Sequence, residues 1–515
     1  MRSALQLYNT MARAKQGLRP RPDMGEKLQM YVCGVTVYDY SHIGHARAYV
    51  AFDVLYRVLR DLLRYDVQYV RNFTDVDDKI IKRANEAGEE PLALSARFID
   101  EFHTDMAALG CLPPTLEPKA TDFIPQMVAT IQKIIDNGHA YAVDSGDVFF
   151  DVASLPGYGR LSGRSQEDNR AGERVAVDGR KRSPADFALW KAAKAGEPSW
   201  ESPWGAGRPG WHIECSSMIR DVMGPVIDVH GGGRDLVFPH HENELAQSQA
   251  AAGCGCDAPH LHAGTDFVRL WMHNGFVNVD SEKMSKSLGN FFTIRDVLES
   301  YHPRALRWFL VSTHYRAAVN FTRRALDEAG DRAYYGYQTL ADAEEALAAA
   351  GDAGAAAVQQ AERDLAAGEG EGAALVAAVR VALLDDLNTP AVLGELSAPL
   401  KAINDLLTTK AGRKNPNRLL LLARHAGAAR AAAELVGLAP PDLGAALEEL
   451  RRLALARAGL TAEQVAARIE ARASARAAKD FAAADAVRVE LAAQGILIMD
   501  TPQGTAWRPG VVSEQ

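Results

Sequence analysis

The stretch that decides the fold runs from Tyr31 to Arg47 and reads Tyr-Val-Cys-Gly-Val-Thr-Val-Tyr-Asp-Tyr-Ser-His-Ile-Gly-His-Ala-Arg. The short apolar run from Leu28 to Val32 overlaps the start of this stretch and predicts a β-strand with Cys33 at its end. Beyond a turn, apolar residues recur at helical spacing from Ala46 onward, and Ser41 is placed to cap this helix. A strand, turn and helix in this order predict an anion-binding corner, because a helix N-terminus offers unpaired N–H groups and a positive dipole end.

The chain on both sides extends this corner into a nucleotide fold. Asp66 to Phe73 alternates as a second strand, which predicts a βαβ unit with two parallel strands, the first half of a doubly wound α/β fold. Strand character returns at Pro225 to His230, followed by three glycines and a helix that begins near Pro239. The nucleotide fold is therefore expected to resume after an insertion.

The composition of the 515 residues, 47% hydrophobic and 24% charged, is that of a globular chain with several domains. No stretch approaches the roughly 20 apolar residues of a membrane span, and Met1 to Leu18 lacks the features of a secretory signal. We therefore expect a cytoplasmic protein that makes no membrane contact. The five cysteines fit reduced thiols or metal ligands better than a disulfide framework. The net charge of −9 argues against a generally basic nucleic-acid binder but leaves room for a local footprint.

A candidate metal site combines Cys33, Cys215, His240 and Glu244. His240 and Glu244 stand four residues apart at a predicted helix start and share one face, while the two cysteines are expected at or near strand ends. Two thiolates, an imidazole and a carboxylate suit Zn²⁺ and leave room for a substrate atom. Because the ligands are far apart in sequence, small buried cysteines without a metal remain the alternative. The spacing of Cys254, Cys256, His260 and His262 also allows a rival metal cluster, but a surface loop with free thiols explains these residues better.

Two further groups of residues predict binding of a nucleoside triphosphate. They are the pair His42 and His45, and the loop Lys283-Met-Ser-Lys-Ser287. Histidine and lysine donors that converge on a triphosphate stabilise the charge that develops at the α-phosphorus during in-line displacement. Either group alone is also explained as surface residues, but their joint presence on the two sides of a nucleotide fold favours the phosphate interpretation.

His42-Ile-Gly-His45 and Lys283-Met-Ser-Lys-Ser287 match, in order, the two signatures of class I aminoacyl-tRNA synthetases. Flanking segments at 30–39, 209–215, 231–244 and 504–508 resemble the cysteine-specific family, the cysteinyl-tRNA synthetases. The resemblance implies an α/β fold: a Rossmann-like nucleotide fold with a connective insertion, then a helical bundle and a small C-terminal anticodon-binding domain. The implied borders are a split catalytic domain at 1–118 and 200–265, the insertion at 119–199, a stem-contact region at 266–322, the bundle at 323–460 and the anticodon domain at 461–515.

The same resemblance implies one zinc ion per chain, held by Cys33, Cys215, His240 and Glu244 and joined by the thiol of the substrate L-cysteine. Shape alone separates cysteine from serine by roughly 1–3 kcal/mol, whereas an accuracy of ~10⁴ to 10⁵ needs about 5.5 to 7 kcal/mol. Zinc closes the gap because it binds thiolate strongly and a hydroxyl weakly. The residues implied to close over the amino acid and line its pocket are Trp211, His212 and His230.

The reaction implied by the resemblance has two steps. Cysteine and ATP, with Mg²⁺, give cysteinyl-adenylate and pyrophosphate, and the terminal hydroxyl of cysteine tRNA then attacks the adenylate carbonyl. Positioning and electrostatics supply the catalysis, with His42, His45 and Lys286 as the catalytic residues. The implied ATP-binding residues are Thr36, His42, Gly44, His45, Asp235, Lys283 and Lys286. Anticodon bases are read by stacking and edge hydrogen bonds, which implicates Trp507 and Arg508 in a chain that we expect to be a monomer.

Three alternative interpretations fit the sequence less well. A ligase that transfers activated cysteine to an aminosugar, as in mycothiol synthesis, would be shortened at its C-terminus, whereas the unit around Lys479 to Phe481 and Trp507 is intact. An inactive tRNA-binding paralogue would not be expected to keep the signature residues and all four metal ligands. A dehydrogenase would need G-x-G-x-x-G after the first strand, where this chain has Gly34-Val-Thr-Val-Tyr.

Overall fold

A computed structural model of the chain describes residues 5–164, 179–252, 267–279, 282–283, 291–501 and 504–512. The fold divides into two compact units. Unit 1 comprises Met1–Tyr40, Leu63–Thr104 and Leu112–Gly275, and unit 2 comprises Ser41–Leu62, Asp105–Cys111 and Phe276–Gln515. No helix among the described residues is both long and apolar enough to cross a membrane.

Unit 1 begins with an antiparallel hairpin of β1 (Leu5–Asn9) and β2 (Ala14–Leu18). Its central sheet is built from β3 (Lys27–Thr36), β4 (Asp66–Thr74), β9 (Ile227–Gly233) and β10 (Val268–Asn274), in the order β10-β9-β3-β4 with every pair parallel. The strands are buried almost throughout, as expected of a parallel sheet covered on both faces. The predicted strands at Leu28 to Val32 and Asp66 to Phe73, and their parallel pairing, are confirmed.

The prediction that Cys33 ends the first strand is wrong. Strand β3 continues to Thr36, and Cys33 lies inside it, where the register with β4 shifts between Val32 and Val35. Gly34 sits at this irregularity because a Cβ there would lie 1.5 Å from the carbonyl oxygen of Asn72. The Gly34 N–H donates to Asn72 Oδ1 at 2.8 Å, so the irregularity is tied to the neighbouring strand.

Six α-helices accompany the nucleotide fold in the described part of the chain up to residue 252. They are α1 (Ile43–Arg57) in unit 2, continued by a π-helical turn at Val58–Leu62, and then α2 (Asp78–Ala87), α3 (Pro91–Ala108), α4 (Ile124–Asp136), α5 (Trp211–Met223) and α6 (Glu242–Ala252). Between α4 and α5 an antiparallel sheet in chain order contains β5 (Ala140–Ala142), β6 (Val148–Phe150), β7 (Phe187–Ala192) and β8 (Gly207–Pro209). Its apolar core includes Ile131, Phe150 and Trp190.

Unit 2 contains a small sheet of β11 (Val277–Val279), β12 (Glu282–Lys283) and β13 (Val319–Phe321), with α7 (Ile294–Leu298) and α8 (Pro303–Val311) between its strands. The helices that follow are α9 (Arg323–Ala349), α10 (Asp352–Ala367), α11 (Gly370–Leu384), α12 (Thr389–Glu395), α13 (Ser397–Thr408), α14 (Lys410–Arg413), α15 (Arg418–Leu435) and α16 (Leu443–Ala458). The Ala-rich stretch from about Leu347 is helical, and α10 packs against α15.

The C-terminal part of unit 2 begins with two helices that are separated by a short break. These are α17 (Ala462–Ala477) and α18 (Phe481–Ala493), which precede an antiparallel hairpin of β14 (Ile496–Thr501) and β15 (Gly504–Pro509). The break falls at Lys479, whose φ of 62° lies in the left-handed region. Val465, Leu491 and Ile496 form a small apolar core for this part of the chain.

Candidate functional site

Four of the sequence-predicted residues form a buried cluster in unit 1. Cys33 comes from β3, Cys215 from α5, His240 from the turn Val237–His241, and Glu244 from the first turn of α6. One ligand atom from each residue lies within 4.8 Å of the others, so the cluster can hold a metal ion. The expectation that Cys215 lies near a strand end is wrong: β8 ends at Pro209, and Cys215 occupies the second turn of a helix.

The distances within this cluster test whether zinc fits. Cys33 Sγ lies 3.9 Å from Cys215 Sγ and 3.5 Å from Glu244 Oε1. His240 Nε2 lies 3.6 Å from Cys215 Sγ and 3.0 Å from Glu244 Oε1. Tetrahedral zinc with bonds of about 2.3 Å to sulfur and about 2.0 Å to nitrogen or oxygen requires ligand separations of about 3.8, 3.5 and 3.3 Å for S–S, S–N/O and N–O pairs. The donor set therefore fits zinc in both chemistry and spacing.

The charges in the cluster balance one another. A hydrogen bond with Cys33 lowers the pKa of Cys215 to about 6, whereas burial and the neighbouring Cys215 raise the pKa of Cys33 well above its usual value. Burial opposes a charge on His240, but Glu244 and Cys215 outweigh it and raise the pKa of His240 to about 10. Burial also opposes a charge on Glu244, yet His230 and His240 hold the pKa of that carboxyl well below its usual range. The cluster thus pairs its anions with protonated neighbours, which a cation would replace.

The three residues predicted to line the amino-acid pocket contact the ligand set. His230 Nε2 lies 2.8 Å from Glu244 Oε2, and His212 Nδ1 lies 2.9 Å from His240 Nδ1. The ring of Trp211 stacks on that of His240, with 4.2 Å between centroids and 21° between planes. Such contacts fix the orientation and tautomer of metal ligands. His212 and His230 therefore hold the side chains that would bind the ion, and Trp211 covers one of them.

Sequence reasoning missed a second donor set that shares two members with the first. Cys33, His230, His241 and Glu244 also have ligand atoms within 4.8 Å of one another. His241 Nε2 lies 3.3 Å from Cys33 Sγ, and its Nδ1 lies 2.8 Å from Nε2 of His273. Burial lowers the pKa of His241 well below its usual value and that of His273 to about 3. The first set suits zinc better because it offers a second thiolate, and because His241 Nε2 lies 4.0 Å from Glu244 Oε1, farther apart than the about 3.3 Å that tetrahedral zinc requires. The sequence signal for this second set was the pair of adjacent histidines, His240 and His241, of which only the first was predicted to be a ligand.

The signature histidines occupy the N-terminus of α1 in unit 2. The prediction that Ser41 caps this helix is wrong. The cap is His42, whose Nδ1 accepts from the N–H groups of Gly44 at 3.0 Å and His45 at 3.3 Å. His45 Nδ1 accepts in turn from His42 N–H at 3.3 Å, and the two rings stack at 3.6 Å. Ser41 is instead part of a paired backbone segment, since its carbonyl accepts from Ile294 N–H at 2.8 Å. The sequence analysis predicted that the N–H groups at this helix N-terminus bind phosphate. In the structure, N–H groups of the first turn donate to imidazole nitrogens instead.

The other predicted ATP-binding residues are placed as follows. Thr36 is the last residue of β3, and Asp235 lies in the turn Arg234–Leu236 directly after β9. They therefore follow neighbouring parallel strands at the carboxyl edge of the sheet, where nucleotide folds bind ligands. The backbone of Lys283 pairs with Asn278 in β12 and β11. Residues outside the described part of the chain are Lys286, Cys254, Cys256, His260 and His262.

The residues predicted to read the anticodon are held by the C-terminal part of unit 2. Trp507 packs against its small apolar core, and Arg508 forms an ion pair with Asp331 of α9. Phe481, the first residue of α18, is 63% exposed and is a more accessible aromatic surface. The sequence contained this signal, an aromatic residue directly after the helix cap Asp480, but only exposure distinguishes it from a core position.

Comparison with known proteins gives three findings. A family model described as the class I (C) tRNA synthetase catalytic domain matches residues 21–331, and one described as the cysteinyl-tRNA ligase anticodon binding domain matches 457–508. A chloroplastic/mitochondrial cysteine–tRNA ligase from Oryza sativa subsp. japonica is 54% identical over 99% of this chain and 86% of its own length. A cysteine–tRNA ligase from Anaeromyxobacter sp. (strain K) is 51% identical over 98% of this chain and 99% of its own. Mycobacterium tuberculosis methionyl-tRNA synthetase has a similar fold, with a TM-score of 0.54 at 16% identity over 85% of this chain and 95% of that one.

Proposed function

The chain belongs to the cysteine–tRNA ligase family of class I synthetases, and we propose that zinc, held by Cys33, Cys215, His240 and Glu244, selects its substrate. As a member of this family it is a ligase that joins cysteine to cysteine tRNA in an ATP-dependent reaction. The aminosugar ligase and the inactive paralogue lose their support, because the anticodon-binding domain is present and ligases match over nearly the full length.

The observation that carries the zinc proposal is the spacing of the four donor atoms. When bound, zinc supplies a Lewis acid that accepts the substrate sulfur as thiolate and has little affinity for the hydroxyl of serine. The protein residues keep the donors in place: His230 orients Glu244, and His212 orients His240. Trp211, stacked on His240, shields this side of the cluster from water.

For the activation step, we propose that ATP with Mg²⁺ is bound by Thr36, His42, Gly44, His45, Asp235, Lys283 and Lys286. Because Nδ1 of both His42 and His45 accepts a backbone hydrogen bond, the neutral rings carry their proton on Nε2. Each Nε2–H is then a donor to phosphate oxygens at the positive end of the α1 dipole. These donors, with Lys286, would stabilise the negative charge that develops during displacement of pyrophosphate.

The experiment that tests the zinc proposal is cysteine-dependent ATP–pyrophosphate exchange combined with metal analysis. The wild-type chain is expected to contain one zinc per chain and to exchange with cysteine but not with serine. Cys215→Ala is expected to lose both zinc and exchange. The matched control is Cys111→Ala, which removes a half-buried cysteine of unit 2 and should leave both unchanged. Zinc retained by Cys215→Ala, or exchange with serine at the rate of cysteine, would contradict the proposal.

For tRNA recognition, we propose that the C-terminal part of unit 2 contacts the anticodon through Trp507, Arg508 and the exposed ring of Phe481. A flat aromatic surface stacks on a splayed-out base, and the arginine supplies hydrogen-bond donors to base edges. We further propose that the chain acts as a monomer in the cytoplasm. Light scattering of the purified chain and fractionation of cells that express it test these two statements.

A further inference from the structure

Arg47 lies on α1, two residues after His45, and its side chain is buried with 3% exposure. Its guanidinium donates to main-chain carbonyls at the end of α8 and in the segment that follows, all within unit 2. The Nη1 group donates to the carbonyl of Leu310 and to that of Thr313 at 3.2 Å. The Nη2 group donates to the carbonyl of His314 at 2.6 Å and to that of Ala317 at 3.1 Å.

The carbonyls around this buried position suit an arginine better than any other side chain. Burial disfavours the charge and lowers the pKa of Arg47 to about 10. The carbonyls at the end of a helix carry the negative end of its dipole and offset part of that cost. A guanidinium presents several donors in a fixed plane, whereas a lysine ammonium has three donors at one point and cannot span the same carbonyls. The site is therefore built for a guanidinium group.

The segment that Arg47 contacts, residues 310–317, is held from a second side. Asp386 Oδ1 accepts from the Tyr315 hydroxyl at 2.7 Å, and its Oδ2 accepts from Arg316 Nε at 2.8 Å. The Thr389 hydroxyl donates to the carbonyl of Val311 at 2.7 Å. Asp386 reaches this position with a φ of 60°, a conformation that costs an L-residue free energy and persists where surrounding contacts enforce it. Segment 310–317 is thus a fixed support for the guanidinium of Arg47, in addition to the ion pair between Asp53 of α1 and Arg307 of α8.

We propose that Arg47 is a positioning residue for the activation step, which fixes the N-terminus of α1 and hence the rings of His42 and His45. This inference rests on the proposed role of the two histidines in ATP binding. Arg47 follows His45 by two residues and His42 by five, about one and a half helical turns or less, so a change in its attachment is transmitted along the first turns of α1 to the cap. Misplacement of a catalytic group by about 1 Å can cost ~10²-fold in rate.

The test measures kcat and KM in ATP–pyrophosphate exchange for Arg47→Ala and Arg47→Lys. We expect kcat to fall about 10²-fold in Arg47→Ala, with the KM for cysteine within about twofold of wild type, because the proposed cysteine ligands belong to unit 1. Arg47→Lys is expected to recover little of the loss. Millimolar guanidinium should restore part of the activity of Arg47→Ala, because the ion can occupy the vacated carbonyl site. An unchanged kcat in Arg47→Ala would overturn the proposal.

The control variant Leu55→Ala removes a fully buried side chain from the same helix and leaves the carbonyl contacts of Arg47 intact. It is expected to lower the melting temperature without a response to guanidinium; a response equal to that of Arg47→Ala would show that the ion acts elsewhere. The double variant Arg47→Ala with His42→Asn separates the two proposals. Losses no larger than in His42→Asn alone support action through the histidine, and multiplicative losses contradict it. Wild-type exchange by His42→Asn would instead refute the proposed role of the histidine itself.

Discussion

Substituting Gly34 by alanine is predicted to disable the metal cluster without touching any of its ligands. Gly34 follows Cys33 in β3, and a Cβ at this position would lie 1.5 Å from the carbonyl oxygen of Asn72 and 2.6 Å from its carbonyl carbon. Real Cβ atoms essentially never come closer than 3.0 Å, so the two strands must separate here by about 1.5 Å. The obstacle is backbone, and no change of side chain at Asn72 relieves it.

The size of the effect follows from the tolerance of metal ligands. Metal–ligand distances are held within about 0.2 Å, and the Cys33 Sγ atom is 3.9 Å from its partner thiol and 3.5 Å from Glu244 Oε1. A shift of about 1.5 Å next to Cys33 exceeds this tolerance several-fold. We expect the affinity for a divalent ion to fall on the order of 10²-fold, which corresponds to about 3 kcal/mol.

The assay is titration with Co²⁺, followed by its thiolate charge-transfer absorption and by competition with zinc. The matched control is Gly427→Ala, at an exposed helical position of α15 where a Cβ meets nothing within 4 Å. This control should bind cobalt like wild type and gain about 0.5–1 kcal/mol in stability, since alanine is the better helix former. A folded Gly34→Ala variant that binds Co²⁺ within twofold of wild type, with the same absorption, would refute the reasoning.

Three further predictions concern other parts of the chain. His230→Asn removes the imidazole that holds Glu244 Oε2 and is expected to weaken zinc binding about 10- to 100-fold, measured with a chromogenic chelator; unchanged affinity would argue against this orienting role. Phe481→Ala is expected to reduce kcat/KM for tRNA charging about tenfold or more and to leave exchange unchanged, whereas equal losses in both assays would exclude a role specific to tRNA. Burial and the nearby Arg304 lower the pKa of His302, the cap of α8, to about 4 from 6.5. The unfolded chain therefore takes up the proton first, so about 3 kcal/mol of stability is lost as pH falls from about 6.5 to 4. His302→Asn keeps a capping acceptor and should flatten that pH dependence in urea unfolding; an identical pH profile would contradict it.

Three of the four strands of the central sheet were predictable because their signal is local. The sequence is apolar at 28–32, alternates at 66–73 and is again apolar at 225–230, and burial on both faces follows from parallel pairing. The position of Cys33 was not predictable, since the irregularity at Gly34 depends on Asn72 in the next strand. Cys215 was misplaced for a related reason: the short strand β8 stops just before it, and no residue pattern marks where a strand of three residues ends.

The N-cap of α1 could not be predicted from the sequence because it depends on a contact with a distant part of the chain. Serine is the better N-cap by preference, so Ser41 was the reasonable choice from sequence. The structure uses His42, because the Ser41 backbone pairs with Ile294, more than two hundred residues away along the chain. The positioning role of Arg47 could not be predicted from the sequence for the same reason. Its partners are main-chain carbonyls of a distant segment, and every residue type has a main-chain carbonyl.

Resemblance to a family supplied the four metal ligands as a set, and their electrostatics explain how such a set can be buried before a metal binds. In the protein alone, the pKa shifts favour a neutral thiol on Cys33 and a charged His240 beside the thiolate of Cys215 and the carboxylate of Glu244. Two protons carry the same charge as one Zn²⁺, so exchanging them for the ion leaves the charge of the buried cluster unchanged. The charged imidazole of His240 therefore offsets part of the desolvation cost of the two anions. We expect the chain to fold before it takes up the proposed zinc ion, which would then add selectivity for the thiol to a site whose shape is already set.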